Sequence, residues 1–313
     1  MTAPLKTLRQ VLPLLAASVV LLGLFRIWVP QLLGLENLLD LAQQISVNAI
    51  LAYGMTLVIL IGGIDLSVGA VVALIGTVTV AILAKAGLGL ALLAGLGVAT
   101  VFGVLNGLCA ARTRMPAFII TLATMLVARG IALRFNEGRP LAVPDSEKVF
   151  LALGNARLFG VLPLPVLLMM GAFAGTAVLL HGTRFGQHLY AIGGNREAAR
   201  FTGIPLARNE VLVYVICSLL AGLAGIIHAS QLYSAEPASG QGFELNAIAA
   251  VVVGGTSFTG GIGTMHGTLI GAIIIGILDK GLNQAGVHFS LQYIVKGLVV
   301  LAAVYLDVRR RQR

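Results

Sequence analysis

Ten apolar runs divide the chain, near residues 11–29, 43–62, 66–84, 88–111, 115–134, 163–182, 210–232, 244–259, 264–279 and 289–307. Most are close to the roughly 20 residues that an α-helix needs to cross the hydrocarbon core of a bilayer. They are built from Leu, Ala, Val, Ile and Gly without strict alternation, which points to helices and away from a β-barrel. Of the 313 residues only 11% are charged and 58% are hydrophobic, whereas a soluble domain carries about 25% charged residues. So few charges could not cover the surface of a soluble fold of this size. The expected class is all-α: a polytopic integral membrane protein of about ten transmembrane helices, with residues 1–313 forming a single membrane domain. The first run follows Lys6 and Arg9 and resembles a signal peptide as far as Ser18, but it continues to Val29. That is long enough to span, so an uncleaved first helix is expected.

The net charge of +9 would suggest a nucleic-acid partner in a soluble protein; here its distribution suggests a topology. With a cytoplasmic N-terminus, residues 1–10, 112–114, 183–209 and 308–313 face the cytoplasm. They hold Lys6, Arg9, Arg112, Arg114, Arg184, Arg196, Arg200, Arg208, Arg309, Arg310, Arg311 and Arg313, twelve of the 21 basic residues. The opposite side holds five: Lys85, Arg139, Lys148, Arg157 and Lys280. Arg26, Arg129, Arg134 and Lys296 lie in or at the ends of runs. This asymmetry obeys the positive-inside rule with both termini cytoplasmic. No nucleic-acid partner is implied. Two loops stand out on the outer side, 135–162 and 233–243. Glycine pairs at helical spacing (Gly103/Gly107, Gly171/Gly175, Gly267/Gly271) read as close helix contacts.

Three segments could carry function. In Gly62-Gly63-Ile64-Asp65-Leu66-Ser67-Val68-Gly69 a double glycine ends one run and an acid opens the next. Asp65 reads either as the N-cap of the following helix or as an intramembrane acid lining a path. Gly254-Gly255 with Gly261 echoes Gly62-Gly63 with Gly69, and repeats with broken helices are common in transporters. The third segment, Gly193 to Pro205, encodes a two-turn helix: Asn195 caps it, Gly203 stops it and Pro205 prevents its continuation. So short a helix is unstable alone and must be held either by its own membrane domain or by a partner.

Enzyme readings are weak. Gly255-Thr256-Ser257 with His228 or His266 suggests a serine protease, but no third orienting residue is apparent. Cys109 and Cys217 have no metal-ligand spacing, and no zinc motif or phosphate-binding loop occurs. If ATP drives this protein, the ATPase is another chain. The alternative is a proton-coupled secondary transporter using Asp65, Glu244 or Asp279. Polar residues placed to face a central path are Asn48, Thr56, Ser67, Asn106, Thr121 and Asn246, although such residues more often join helices than contact a solute.

The segment Gly54-Met55-Thr56-Leu57-Val58-Ile59 leading into residues 62–69 resembles the permeases of ribose-type ABC sugar importers. So do Tyr190-Ala191-Ile192-Gly193-Gly194-Asn195, residues 249–257 and Gly267-Thr268-Leu269-Ile270-Gly271-Ala272, and the likeness runs from about residue 30 to 306. The resemblance implies an ABC importer permease fold in the bacterial inner membrane, working as a dimer with a second copy or a paralogue. It also implies an outer binding protein and cytoplasmic ATPase subunits that bind ATP and Mg, with no cofactor or metal in this chain. The family's coupling helix falls on 195–203, with Asn195, Arg196, Glu197, Ala198, Ala199, Arg200, Phe201 and Gly203 facing the ATPase. Arg139, Lys148 and Arg157 are then available to the binding protein. Ribose, xylose, arabinose, galactose and autoinducer-2 permeases look alike at this level.

Overall fold

The computed structural model describes residues 3–113 and 115–311. Arg114 and Arg313, and the side chains of Lys6, Arg9, Arg310 and Arg311, lie outside the described set. The helices are α1 (Ala3–Trp28), α2 (Leu35–Leu60), α3 (Val68–Arg112), α4 (Ala117–Arg134), α5 (Lys148–Asn155) and α6 (Leu164–Gly182). They continue with α7 (Arg184–Gly194), α8 (Arg196–Phe201), α9 (Leu206–Gln231), α10 (Phe243–Val253), α11 (Met265–Gln284) and α12 (Phe289–Arg311). Each apolar run holds a helix, although the run 244–259 is helical only as far as Val253. The third and fourth runs are the two arms of α3, which turns back at Gly87 (φ 76°, ψ 173°) and lays Gly95 against Ile75 and Thr79. Among the described residues, six helices are long and apolar enough to cross a membrane: α2, α3, α4, α6, α9 and α11.

At the centre lies α2, buried at every position from Ala49 to Leu60. Around it pack α6, α9, α10 and α11. Close approach is set by small residues, as expected where apolar surface alone does not drive association. Gly103 and Gly107 of α3 lie on the backbone of α9 at Val215 and Val211, and Gly267 and Gly271 of α11 lie on Gly254 and Ala250. A Cβ at Gly171 or Gly175 would meet nothing within 4 Å; among the described residues the spacing that predicts a contact there meets none.

The two loops read from sequence as separate are joined. Strand β1 (Leu141–Ala142) pairs antiparallel with β4 (Ser234–Ala235), and β2 (Arg157–Leu158) with β3 (Leu162–Pro163). Between them α5 docks on the end of α9, where the Ser230 hydroxyl accepts from Gly154 N–H (2.7 Å) and Asn155 Nδ2 donates to the Ser230 carbonyl (2.7 Å). Gln43 of α2 donates to the Gly154 carbonyl (2.8 Å). The result is a cap fastened to two central helices.

Candidate translocation and coupling site

The first chain break, 61–67, follows α2. Gly62 has φ +79°, a backbone conformation that glycine adopts without steric penalty. Asp65 is fully buried. Its Oδ1 accepts from the Ser67 N–H (2.9 Å) and from the Ser67 hydroxyl (2.6 Å). This is an aspartate turn bonding two residues on, and it corrects the reading of Asp65 as an N-cap. Ser67 occupies that position itself and makes no side-chain capping bond. The network continues outward: Asn106 Nδ2 donates to Ser67 Oγ (3.0 Å) and Thr124 Oγ1 donates to Asn106 Oδ1 (2.7 Å). Thr121 Oγ1 accepts from Leu66 N–H (3.1 Å) and sits 3.1 Å from the Ile64 carbonyl. Asp65, Ser67, Asn106 and Thr121 therefore form one buried cluster that ties the break to α3 and α4. Thr56 lies apart from it, its hydroxyl 2.7 Å from that of Thr268 on α11. Asn48 and Asn246 are half-buried and belong to neither group.

The second break, 254–264, joins α10 to α11 and carries Gly255, Gly260 and Gly261 at positive φ. Its Gly261 N–H donates to the Leu60 carbonyl (2.9 Å), the last residue of α2. The end of α2 and the second break, whose glycine patterns echo one another in sequence, thus meet in space. Against this junction lies Gly193 of α7, with no room for a side chain: a Cβ would fall on the Leu60 carbonyl oxygen and on Gly261 N. Tyr190, one turn earlier, donates to the Gly263 carbonyl (2.7 Å). Burial pushes its phenol up to about 12, so it stays a protonated donor at any physiological pH.

From the junction the chain passes through Asn195 directly into α8. Asn195 Oδ1 accepts from Ala198 N–H (2.9 Å). The other end closes in a Schellman motif: Gly203 N–H donates to the Arg200 carbonyl (3.1 Å), Ile204 N–H to the Ala199 carbonyl (3.2 Å), and Gly203 has φ +79°. Asn195, Arg196, Glu197, Ala198, Arg200 and Gly203 are exposed, and Phe201 is 86% exposed. Ala199 is buried and faces the rest of this chain. The preceding helix, α7, was not legible as an element: its 11 residues are too short and too mixed to register as a span.

At the opposite end the three basic residues differ. Arg139 is exposed beside Glu137 (3.9 Å), and Lys148 is exposed. Arg157 is already engaged, pairing with Glu36 (2.7 Å) and Asp40 (3.2 Å) of α2. Its bond to Glu36 holds the guanidinium above its ordinary value. Arg157 therefore fastens the cap to α2 and is not the free charge that the sequence suggests. Arg129 of α4 was given no role from sequence, yet it donates to the carbonyls of Pro237 (2.8 Å) and Ser239 (2.6 Å). There the chain descends from β4 until Gly240 touches Gly69, and α10 starts beside this contact. Within this non-helical stretch Pro237 and Gly240 are buried against the bundle, while Glu236, Ala238 and Gln241 stay exposed. A cation inside an apolar run was the available signal.

Residues 37–304 match the family described as branched-chain amino acid transport system / permease component, and the chain belongs to that family of membrane permease components. Curated relatives cover nearly its whole length. It is 44% identical over 300 residues to the ribose import permease protein of Escherichia coli (strain K12), covering 95% of this chain and 93% of the relative. It is 45% identical over 283 residues to the ribose import permease protein of Bacillus subtilis (strain 168), covering 90% and 87%. It is 36% identical over 282 residues to the L-arabinose transport system permease protein of E. coli (strain K12), covering 90% and 85%. No solved structure matches the chain.

Proposed function

We propose that this chain is the membrane-spanning subunit of an ATP-driven importer of a monosaccharide of the pentose class. One observation carries the reading: a doubly capped helix, α8, presents exposed Phe201 and is separated by only two residues from Gly193, which touches both the end of α2 and the second break. A cytoplasmic ATPase, holding ATP and Mg, would fill the space over Phe201, and its motion would reach the two breaks through Gly193. The sugar class rests on the ribose and arabinose relatives. In this reading α7, α8 and both termini face the cytoplasm, and the cap of 135–163 faces a sugar-binding protein through Arg139 and Lys148. A second permease copy or a paralogue completes the path, to which Asn48, Thr56, Asp65, Ser67, Asn106, Thr121 and Asn246 are assigned. The acids open to a proton-coupled mechanism, Asp65, Glu244 and Asp279, are all engaged, Asp65 with Ser67. Glu244 accepts from Gly242 N–H (3.1 Å), and Asp279 pairs with Lys296 (2.9 Å).

The test is co-purification of the cognate ATPase with the permease. Asn195→Ala removes the cap of a six-residue helix, a loss of about 1 kcal/mol. Gly203→Val places a β-branched residue in the left-handed region. Both variants are expected to insert normally, retain less ATPase and import more slowly. Unchanged assembly and uptake in both would remove α8 as the docking element.

A further inference from the structure

Glu210 lies five residues into α9 and is only 2% exposed. A buried carboxylate needs a counter-charge or dense hydrogen bonding. Among the described residues its ion pair is with Arg196, the first residue of α8, whose side chain is half exposed. The pair therefore bridges the docking helix and the core-forming helix behind it. One turn further along α9, Tyr214 is buried with its hydroxyl beside Gly63, where a Cβ would come within 2.7 Å of it. A cavity of about 390 Å³ lies between these groups, lined by Gly62 and Gly63 of the first break, Thr113 and Met115 of the α3–α4 turn, and Arg196 and Glu210.

We propose that Arg196 and Glu210 form an electrostatic latch that transmits displacement of α8 to the first helix break. The proposal rests on the importer reading above. While Arg196 stays in place, Glu210 is compensated and the start of α9 remains packed under Gly63. Displacement of α8 withdraws the guanidinium, and an uncompensated buried carboxylate is strongly unfavourable. The cavity beside it gives Glu210 room to reach water, and movement at this point shifts Tyr214 against Gly63. Glu210 and Arg196 are thus positioning residues: they touch no solute and act through the break.

The sign of the charges is exchangeable in a latch, whereas their presence is not. The experiment compares wild type, Arg196→Glu, Arg196→Gln, the neutral double Arg196→Gln/Glu210→Gln and the swapped double Arg196→Glu/Glu210→Arg. Each is reconstituted with the ATPase and binding protein, and sugar uptake, ATP hydrolysed per sugar delivered and thermal stability are measured. Both single variants are expected to lose at least tenfold in uptake. The neutral double should regain stability, because no charge is left buried, yet still hydrolyse several-fold more ATP per sugar than wild type. The swapped double should return to within about threefold of wild type in both uptake and coupling ratio. A neutral double that transports with the wild-type ratio would show that the pair serves packing alone and overturn the latch. If the swapped double fails to insert, the neutral double decides by the same criterion. Absence of ATP-dependent uptake by the wild type would overturn the importer reading and the latch with it; normal wild-type uptake with unaffected single variants would overturn the latch alone.

Discussion

Gly193→Ala is expected to abolish sugar uptake, while Gly194→Ala, one residue along, leaves it within about twofold. Both positions are helical and neither has positive φ, so conformational preference does not separate them. Space does. A Cβ at Gly193 would overlap the Leu60 carbonyl oxygen and Gly261 N, whereas at Gly194 it meets nothing within 4 Å. The obstructing atoms are backbone and already bonded to each other at 2.9 Å, so no side chain can rotate aside. Overpacking of this kind typically costs about 1–3 kcal/mol even where side chains can yield, and each 1.4 kcal/mol is about tenfold in an equilibrium. The strain falls on the point where both breaks meet, so the conformational equilibrium between access states should suffer beyond the protein's stability. Uptake in vesicles, normalised to the amount of folded permease, checks this. A fully active Gly193→Ala would mean that the junction is not a moving contact.

The second large effect is at Asp65. Replacement by Leu leaves the Ser67 N–H and hydroxyl without their acceptor in a fully buried site. An orphaned buried polar group costs about 1–3 kcal/mol, and two are orphaned here, so Asp65→Leu should fall at least tenfold in folded protein and in uptake. Asp65→Asn keeps an oxygen at the Oδ1 position, removes the ability to ionise and puts an amide NH2 in place of Oδ2. It is expected to retain most transport. Equal loss in the Asn and Leu variants would show that the carboxylate itself is required, as a proton carrier would demand.

What was legible in the sequence is what local chemistry signals. Long apolar runs placed the helices, double glycines placed both breaks, and Asn195, Gly203 and Pro205 bounded α8. What was not legible depends on partners far apart in the chain. Arg157 looks like a free surface charge until Glu36 and Asp40, more than a hundred positions earlier, are brought beside it. Arg129 acquires a role only when Pro237 and Ser239 descend onto it. The convergence of Gly193, Leu60 and Gly261 unites three segments, of which the two glycine-rich breaks echo one another in sequence while nothing marks Gly193 as their neighbour. Asp65 stands between these cases: its place at a helix break was readable, but its bonding to Ser67 in place of a cap was not.

The most direct measurement is sugar uptake into liposomes holding this permease with its ATPase and binding protein, with ATP and the proton gradient varied independently and ribose, arabinose and xylose compared. The account predicts uptake of at least one of these sugars that requires ATP and the binding protein and is indifferent to the gradient. Gradient-driven uptake without ATP would contradict it.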